Sequence, residues 1–344
     1  MSFDEIIRKI TAGLTGEWEH DGKYLQEQMD LYKEHDLAKE ILRACGRMLY
    51  DVMPDDLKKE IKDASQKEQF GYQQIMEEVR FNIYKKNYSK ALKLIEGLVG
   101  NLEEARPYAN DSVSEYFTFD EYFEEILYDF RNNPERELRR AQLPFSEIYF
   151  YYGNILFELK QYEEAKSALD KALRWNPMNA NIAYERTELE KQTGNLEEFF
   201  TRTKAIMRNA YKSVDVARGY RNIAYYLVEK KEWAAAKTCL MLSLQYDKNN
   251  QSAHSELYYI DAKTRRHIEP LNQDAMYAFF KENDIQLGPD DDVLGLAYNY
   301  GKHFLDEKGY DAAEYFLNIV YDLTDDTEIK TMIEEVKQRK AAKN

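Results

Sequence analysis

Hydrophobic residues recur at intervals of three and four along most of the chain. Two stretches, residues 144–266 and 294–327, divide into pairs of such segments, each long enough for one helix. This spacing places the apolar side chains on one face of an α-helix. Glycine and proline number only 14 and 7, too few for the many turns of a β-sandwich or barrel of this length. The pattern therefore predicts an all-α protein.

The same pattern divides the chain into four parts. Residues 1–66 are predicted to form three or four short helices, an N-terminal cap or docking domain. Residues 67–143 combine a degenerate helical hairpin with an insertion rich in aromatic and acidic residues. Residues 144–266 are predicted to form successive helix pairs. Residues 267–344 add one helix with a turn, another pair and a C-terminal helix.

The most regular stretch begins at Ser146 and closes at Pro177. Gly153, Ala165 and Ala172 place small residues among large apolar ones, and two antiparallel helices approach closely only where one presents a small residue to the other. Proline then ends the second helix. The spacing and a period of about 34 residues resemble the tetratricopeptide repeat.

Weaker matches to the same frame occur at residues 72–105, 220–250 and 294–327. The stretch between the copy that closes at Pro177 and the copy at residues 220–250 is a degenerate repeat. The resemblance implies stacked antiparallel helix pairs that form a right-handed α-solenoid. Residues 1–66 depart from the family pattern and are interpreted as an N-terminal helical cap, and the tail from residue 325, acidic at its start and basic at its end, as a C-terminal capping helix. In this family the first helix of each repeat lines a concave groove that holds a peptide or a partner helix.

The repeat frame assigns amide, guanidinium and aromatic side chains to the inward face. Such groups bind peptide backbones and carboxylates. The alternative for the arginines is an ion pair within the fold, and for the later tyrosines it is packing between repeats. The residues predicted to bind a peptide or partner are Phe150, Asn154, Phe157, Tyr184, Arg218, Arg221, Asn222, Tyr225 and Tyr259.

A formal net charge of −15 argues against a nucleic-acid partner, because phosphate backbones require a basic face. The most basic short stretch, RELRR at residues 136–140, is interpreted as a solvated helix face. Acidic residues also outnumber basic ones in residues 1–66, which argues against a DNA-reading module there.

The sequence contains no motif typical of a catalytic, cofactor-binding or metal-binding site. The five histidines are scattered, and no hydrolase, phosphate-loop, dinucleotide or metal motif occurs, so we expect neither enzymatic activity nor a cofactor or metal. The PDDD stretch at residues 289–292 is interpreted as a turn and helix start. Cys45 and Cys239 lie in apolar helical patterns and are expected to be buried thiols. With neither a signal peptide nor an apolar run of about 18 residues, the expected location is the cytoplasm, away from the membrane.

Three functions stay open at this point. The first is a non-catalytic scaffold that binds a protein or peptide in the groove of the superhelix. The second is a signalling regulator in which the repeats sense a peptide and residues 1–66 act as an effector module. The third is a self-associating factor, a homodimer in which the aromatic, acidic segment 111–130 docks into the groove of another copy.

Overall fold

The computed structural model describes residues 1–105 and 108–343. This part of the chain contains 17 α-helices and two short strands, so the predicted all-α class is confirmed. The helices are α1 (Phe3–Thr11), α2 (Trp18–Tyr32), α3 (Ala38–Val52), α4 (Asp55–Tyr84), α5 (Tyr88–Ala105), α6 (Tyr122–Asn132), α7 (Phe145–Glu158), α8 (Tyr162–Trp175), α9 (Ala180–Gln192), α10 (Leu196–Met207), α11 (Ser213–Glu229), α12 (Trp233–Tyr246), α13 (Gln251–Thr264), α14 (Gln273–Glu282), α15 (Asp291–Asp306), α16 (Tyr310–Thr324) and α17 (Thr327–Lys343). The strands are β1 (Ser114–Phe117) and β2 (Glu137–Arg140).

The chain forms two compact units. The first contains residues 1–118 and 134–161, and the second contains residues 119–133 and 162–344. Within the first unit α2 packs on α3, and α5 packs on both α4 and α7. Within the second unit neighbouring helices pack in sequence from α8 to α13, and again from α15 to α17. The predicted pairing of neighbouring helices is thereby confirmed, whereas the right-handed sense of a superhelix stays a prediction.

Helices α1 to α3 enclose a small core of their own in the first unit, which includes Ile6, Leu25 and Ile41, all 0% exposed. The turn before α2 is fixed by Asp21, which is also fully buried. Its carboxylate accepts hydrogen bonds from the backbone N–H groups of Thr15 (2.8 Å) and Gly16 (2.7 Å). Burial alone would raise the pKa of Asp21, but hydrogen bonds from His20, Thr15 and Gly16 outweigh it and hold the pKa well below its usual range.

Helix α4 is 30 residues long and begins directly after Pro54. Proline is favoured at a helix start because its missing N–H would have no intrahelical partner there. The predicted hairpin of residues 68–105 corresponds to the second half of α4 packed on α5. The predicted domain boundary at residue 66 therefore falls inside a continuous helix.

The basic stretch at residues 136–140 is not helical, and that prediction is wrong. Residues 137–140 form β2, which pairs in parallel with β1, with Ser114 opposite Glu137 and Phe117 opposite Arg140. Both strands belong to the first unit. Helical periodicity is a poor guide to a strand of four residues, and pairing with β1 is a non-local interaction. Residues 106 and 107, at the start of the predicted insertion, lie outside the described residues.

The aromatic, acidic segment contributes α6 to the core of the second unit. Phe123 is 0% exposed, and its ring lies 5.3 Å from that of Tyr211 and 6.2 Å from that of Phe316, measured between centroids. The segment is therefore committed to packing within its own chain. Docking of residues 111–130 into another copy stays a prediction, and the exposed side chains of Tyr122 and Phe130 are the part of α6 that could take part in it.

The small residues of the repeat are packing residues, as predicted. Ala165 and Ala172 on α8 are both 0% exposed, and Gly153 on α7 is buried. In the α15–α16 pair a methyl group on Gly301 would lie 2.9 Å from two side-chain carbons of Leu317. Close approach of the two helices depends on the missing side chain.

Several local predictions can be compared directly with the structure. The PDDD stretch is a helix start, with Asp290 as the N-cap of α15, and Arg131 donates to the carboxylates of Asp290 and Asp292. Cys45 and Cys239 are buried free thiols, and burial raises the pKa of each. Across residues 1–105 and 108–343, no group of three or more His, Cys, Asp or Glu side chains is arranged to hold a metal ion. No helix in the described ranges is long and apolar enough to cross a membrane.

Candidate functional site

Helix α11 carries four of the predicted binding residues on adjoining positions of one face. Arg218, Arg221, Asn222 and Tyr225 are spaced by three and four residues, which aligns their side chains. Beside these residues α11 approaches its neighbours at Gly219, where a methyl group would lie 2.3 Å from Cγ of Met207. The small residue lets α11 pack closely, and that packing fixes the position of the helix.

Three of these residues line a pocket within the second unit. The pocket has a volume of about 190 Å³. This is below the roughly 300–1,000 Å³ typical of sites that enclose a whole small molecule. It suits one residue of a longer ligand. Its walls are Lys191, Arg221, Asn222, Ala224, Tyr225, Val228, Leu240, Ser252 and Glu256.

Asn222 supplies a hydrogen-bond donor that the fold leaves unused. The residue is 7% exposed, and its Nδ2 atom has no hydrogen-bond partner among the described residues. Nearly all buried polar groups in folded proteins are paired, and an unpaired one costs about 1–3 kcal/mol. A ligand oxygen placed in the pocket would remove that cost. The unpaired amide is therefore the strongest sign of a binding site.

Arg221 is held in place by Asp247, a carboxylate outside the pocket wall. Its guanidinium donates to Asp247 over 3.3 Å, and Asp247 is tied to the amide of Asn250 over 2.7 Å. Burial lowers the pKa of Arg221, and Arg218 nearby adds to the effect, while Asp247 opposes it. The Arg221 charge is thus partly neutralised inside the fold, as the ion-pair alternative predicted.

Lys191 and Tyr225 form the aromatic part of the pocket wall. The Lys191 ammonium lies 4.1 Å from the centroid of the Tyr225 ring, a cation–π contact, and also pairs with Glu188 over 3.1 Å. The Tyr225 ring meets that of Phe199 edge-on at 5.7 Å. Burial raises the pKa of the Tyr225 hydroxyl, so it stays protonated and able to donate.

Arg218 lies on the same face of α11 but not among the pocket residues. It donates to the Asn181 amide oxygen over 3.1 Å and pairs with Glu185 over 2.9 Å. Its guanidinium also lies 5.1 Å from the centroid of the Tyr184 ring. These contacts join α11 to α9, so Arg218 has a structural role whether or not it also meets a ligand.

Tyr184 is fully buried, which does not fit the prediction that it contacts a partner. The residue is 0% exposed, and its hydroxyl donates to the backbone carbonyl of Asp215 over 3.0 Å. Burial raises the pKa of this hydroxyl well above its usual range. Tyr184 therefore packs between α9 and α11, the alternative that sequence left open.

The remaining predicted residues lie elsewhere. Tyr259 on α13 is 43% exposed and is not part of the pocket wall. Phe150, Asn154 and Phe157 are half-buried on α7 in the first unit. The structure thus brings together Arg221, Asn222 and Tyr225 and leaves the role of these four as a prediction.

Sequence reasoning missed three polar pocket residues, Lys191, Ser252 and Glu256. Lys191 follows Tyr184 by seven residues and Glu188 by three, so helical spacing on α9 already placed it on the inward face. Ser252 and Glu256 share a face of α13 by the same rule. These positions were overlooked because the repeat frame weakens after residue 250, where α13 matches only the first half of a repeat.

Comparison with known proteins agrees with the repeat pattern in one place. The tetratricopeptide repeat family matches residues 146–179. No curated protein matches the chain significantly. The crystal structure of the apo form of RapI aligns over 98% of this chain and 97% of its own, with 14% identity and a TM-score of 0.38. Residues 146–179 therefore match one tetratricopeptide repeat, and that match does not extend to the rest of the chain.

Proposed function

We propose that this protein is a non-catalytic binding protein for an extended peptide segment, with the Asn222 pocket as one recognition point. The observation that carries the proposal is the buried Asn222 amide nitrogen without a partner. A donor in this position matches a backbone carbonyl or carboxylate oxygen, the acceptors that recur along any peptide. We further propose that the protein acts in the cytoplasm.

The composition of the pocket supports a peptide rather than a compact ligand. Asn222 offers a donor, Glu256 an acceptor, and Tyr225 an aromatic surface for a side chain. Peptide backbone presents donors and acceptors in alternation, so a wall with both suits it. Recognition of peptides in this way is also what the tetratricopeptide repeat resemblance implies.

The charges around the pocket favour binding over catalysis. Arg221 pairs with Asp247, and Lys191 pairs with Glu188. Both cations are therefore positioned by the fold, and neither is arranged as an acid or base beside a nucleophile. Paired cations position a ligand, while the unpaired amide supplies the new hydrogen bond.

The test begins with selection of a binder from a library of short random peptides, using the full-length protein. Fluorescence anisotropy then measures its affinity for the wild type and for Asn222→Ala. We expect Asn222→Ala to bind about tenfold more weakly, because one neutral hydrogen bond contributes up to about 1.5 kcal/mol. The melting temperature should stay unchanged.

Asn132→Ala is the matched control. Asn132 is an exposed amide in the same unit, and it donates to the Tyr128 carbonyl of its own helix. Loss of the Asn132 amide should leave the peptide affinity within about twofold of that of the wild type. Equal affinities of Asn222→Ala and wild type for every selected peptide would rule out the Asn222 pocket. A selection that yields no binder at all would rule out peptide binding.

A second function is favoured by one specific observation. Helices α1 to α3 have a hydrophobic core of their own, as an effector module would need. In the peptide-sensing alternative, the bound peptide changes the contacts of these helices. Hydrogen exchange of residues 3–52, with and without the selected peptide, tests this hypothesis. Unchanged exchange rates there at saturating peptide would leave the protein as a binding scaffold alone.

A further inference from the structure

A larger pocket lies in the first unit, between α3 and the two short strands. Its volume is about 650 Å³, within the roughly 300–1,000 Å³ typical of small-molecule sites. The strand β2, which sequence reasoning took for a helix face, supplies three of its wall residues. The wall consists of Arg43, Gly46, Arg47, Tyr50, Asp51, Tyr108, Tyr116, Leu138, Arg139 and Arg140.

Four arginines around one pocket are unusual in a chain with a net charge of −15. Two of them are anchored by carboxylates of the same unit. Arg43 pairs with Asp111 over 2.5 Å, and Arg139 pairs with Glu137 over 2.5 Å. These pairs fix the direction of both side chains, and a fixed guanidinium binds an oxyanion with little loss of side-chain entropy.

Arg47 differs from Arg43 and Arg139 because it has no such anchor. Among the side chains that the structure describes, no carboxylate lies within ion-pair distance of its guanidinium, and Glu137 and Asp111 act on it only from further away. The side chain is half-buried, and it follows Arg43 by one helical turn on the same face of α3. Burial lowers the pKa of Arg47, and Arg139 nearby lowers it further, while Tyr116, Glu137 and Asp111 oppose the shift without cancelling it. A partly buried cation beside like charges would be stabilised by an anion in the pocket.

Aromatic rings line the same space. The Arg43 guanidinium lies 5.3 Å from the centroid of the Tyr116 ring, and the Tyr108 ring lies 5.6 Å from Tyr116. Tyr50 adds a ring that is 42% exposed. Flat aromatic and guanidinium surfaces stack well on planar heterocycles. The pocket thus combines planar walls with a positive region.

We propose that this pocket binds a small phosphate monoester of mononucleotide size, with Arg47, Arg139 and Arg140 around the phosphate and the tyrosines against the planar ring. Guanidinium forks match phosphate oxygens in pairs, which explains why arginine rather than lysine occurs at all four cationic positions. The volume leaves room for a sugar and a base beside the phosphate. This site is separate from the Asn222 pocket in both location and chemistry, so it does not depend on the proposed peptide binding.

Isothermal titration calorimetry of the full-length protein at low salt tests the proposal with four probes. They are adenosine monophosphate, ribose 5-phosphate, inorganic phosphate and adenosine. We expect the nucleotide to bind most tightly, the two smaller phosphates more weakly, and adenosine without detectable heat. Raising the salt concentration should weaken the binding of every charged probe.

The variant Arg47→Gln should bind adenosine monophosphate at least tenfold more weakly, with an unchanged melting temperature. Arg136→Gln is the control, since Arg136 directly precedes β2, pairs with Glu115 over 3.8 Å, and is not part of the wall. The exposed Arg140 provides a second test, Arg140→Gln, should Arg47→Gln fail to fold.

Three results would overturn the proposal. The first is that neither the nucleotide nor the smaller phosphates bind. The second is that adenosine binds as tightly as its monophosphate. The third is that Arg47→Gln and Arg140→Gln fold and bind like Arg136→Gln. Equal affinities for ribose 5-phosphate and adenosine monophosphate would overturn the assignment of the tyrosines to a planar ring.

Discussion

Two buried polar side chains of the second unit, Glu124 and Asn222, differ in their hydrogen-bond partners. Glu124 on α6 is 1% exposed, and its carboxylate accepts four hydrogen bonds. The donors include the Asn176 amide (2.8 Å), the Tyr211 hydroxyl (3.1 Å) and the backbone N–H of Asp120 (2.8 Å). Asn222 on α11 is 7% exposed, and its amide nitrogen has no hydrogen-bond partner in the part of the chain that the structure describes.

The difference separates a polar group that stabilises the fold from one that we propose binds a ligand. Burial raises the pKa of Glu124, although the hydrogen bonds from Asn176 and two backbone amides oppose the rise. This carboxylate joins α6 to the segments that follow α8 and α10. The Asn222 amide nitrogen makes no hydrogen bond to the described residues, so it does not stabilise the fold. It can instead donate a hydrogen bond to a ligand. Four substitutions test this comparison.

The largest expected effect is that of Glu124→Ala. The substitution leaves the Tyr211 hydroxyl and the Asn176 amide buried without an acceptor, and each unpaired group costs about 1–3 kcal/mol. We expect the free energy of unfolding to fall by about 3 kcal/mol, measured by urea denaturation. Glu125→Ala, at the half-buried neighbouring position, should change it by less than about 0.5 kcal/mol. Equal losses in the two variants would mean that the Glu124 hydrogen bonds are not stabilising.

Gly219→Ala should affect both stability and binding, because Gly219 fixes the position of α11. Its new methyl group would lie 2.3 Å from Cγ of Met207 and 2.7 Å from the Tyr184 hydroxyl oxygen. Overpacking of this kind costs about 1–3 kcal/mol, and it should also displace Asn222 and weaken the selected peptide. Gly295→Ala on α15 is the control, because no atom lies within 4 Å of its added methyl group. A Gly219→Ala protein of full stability would show that α11 is free to move.

Asn222→Leu should reduce peptide binding without reducing stability. The substitution removes an amide that the fold does not pair, so the free energy of unfolding should stay level or rise by up to about 1 kcal/mol. Thermal denaturation and anisotropy on the same preparation measure both effects. A clear loss of stability would place Asn222 with Glu124 among the structural groups and would contradict the comparison.

The smallest expected effect is a change in how stability varies with pH, and it comes from Asp261. Its carboxylate accepts from Lys237 (2.9 Å) and from the backbone N–H of Ile268 (2.9 Å). These hydrogen bonds, led by the one from Lys237, lower the pKa of Asp261 from 3.8 to about 2. Between those pH values the unfolded chain binds more protons, so the stabilisation is present above about pH 4 and is lost as the pH falls to about 2.

Asp261→Asn should therefore have a lower melting temperature than the wild type near neutral pH, and the two curves should converge toward pH 2. Asp274→Asn, on a carboxylate outside this cluster, is the control for the substitution itself. Parallel curves for Asp261→Asn and wild type over the whole range would mean that the Asp261 hydrogen bonds do not contribute to stability.

Much of the helical framework could be predicted from sequence because local spacing determines it. Gly153, Ala165 and Ala172 marked close helix contacts through size alone, and the apolar period located α14 to α17. The register also placed Arg221, Asn222 and Tyr225 together, since they lie on one helix. Adjacency on one face is a local property, so sequence alone reveals it.

Other features depend on contacts between distant segments, which spacing does not encode. β2 exists because it pairs with β1, some 20 residues earlier in the chain. Tyr184 is buried because its hydroxyl reaches the Asp215 carbonyl. Sequence does not distinguish Glu124 from the other carboxylates of its acidic segment, because two of its four donors, Asn176 and Tyr211, lie far along the chain. The missing partner of Asn222 likewise becomes visible only when all its neighbours are in place.

The 30 residues of α4 form one stiff rod of about 45 Å, at about 1.5 Å per residue. A flexible linker at residue 66 would let the segments before and after it turn separately, but an unbroken helix resists bending and twisting. A torque applied at the Pro54 end would therefore reach Tyr84 largely undiminished. A cut at residue 66 would also leave half a helix on each fragment, so residues 1–66 are not a natural unit to detach.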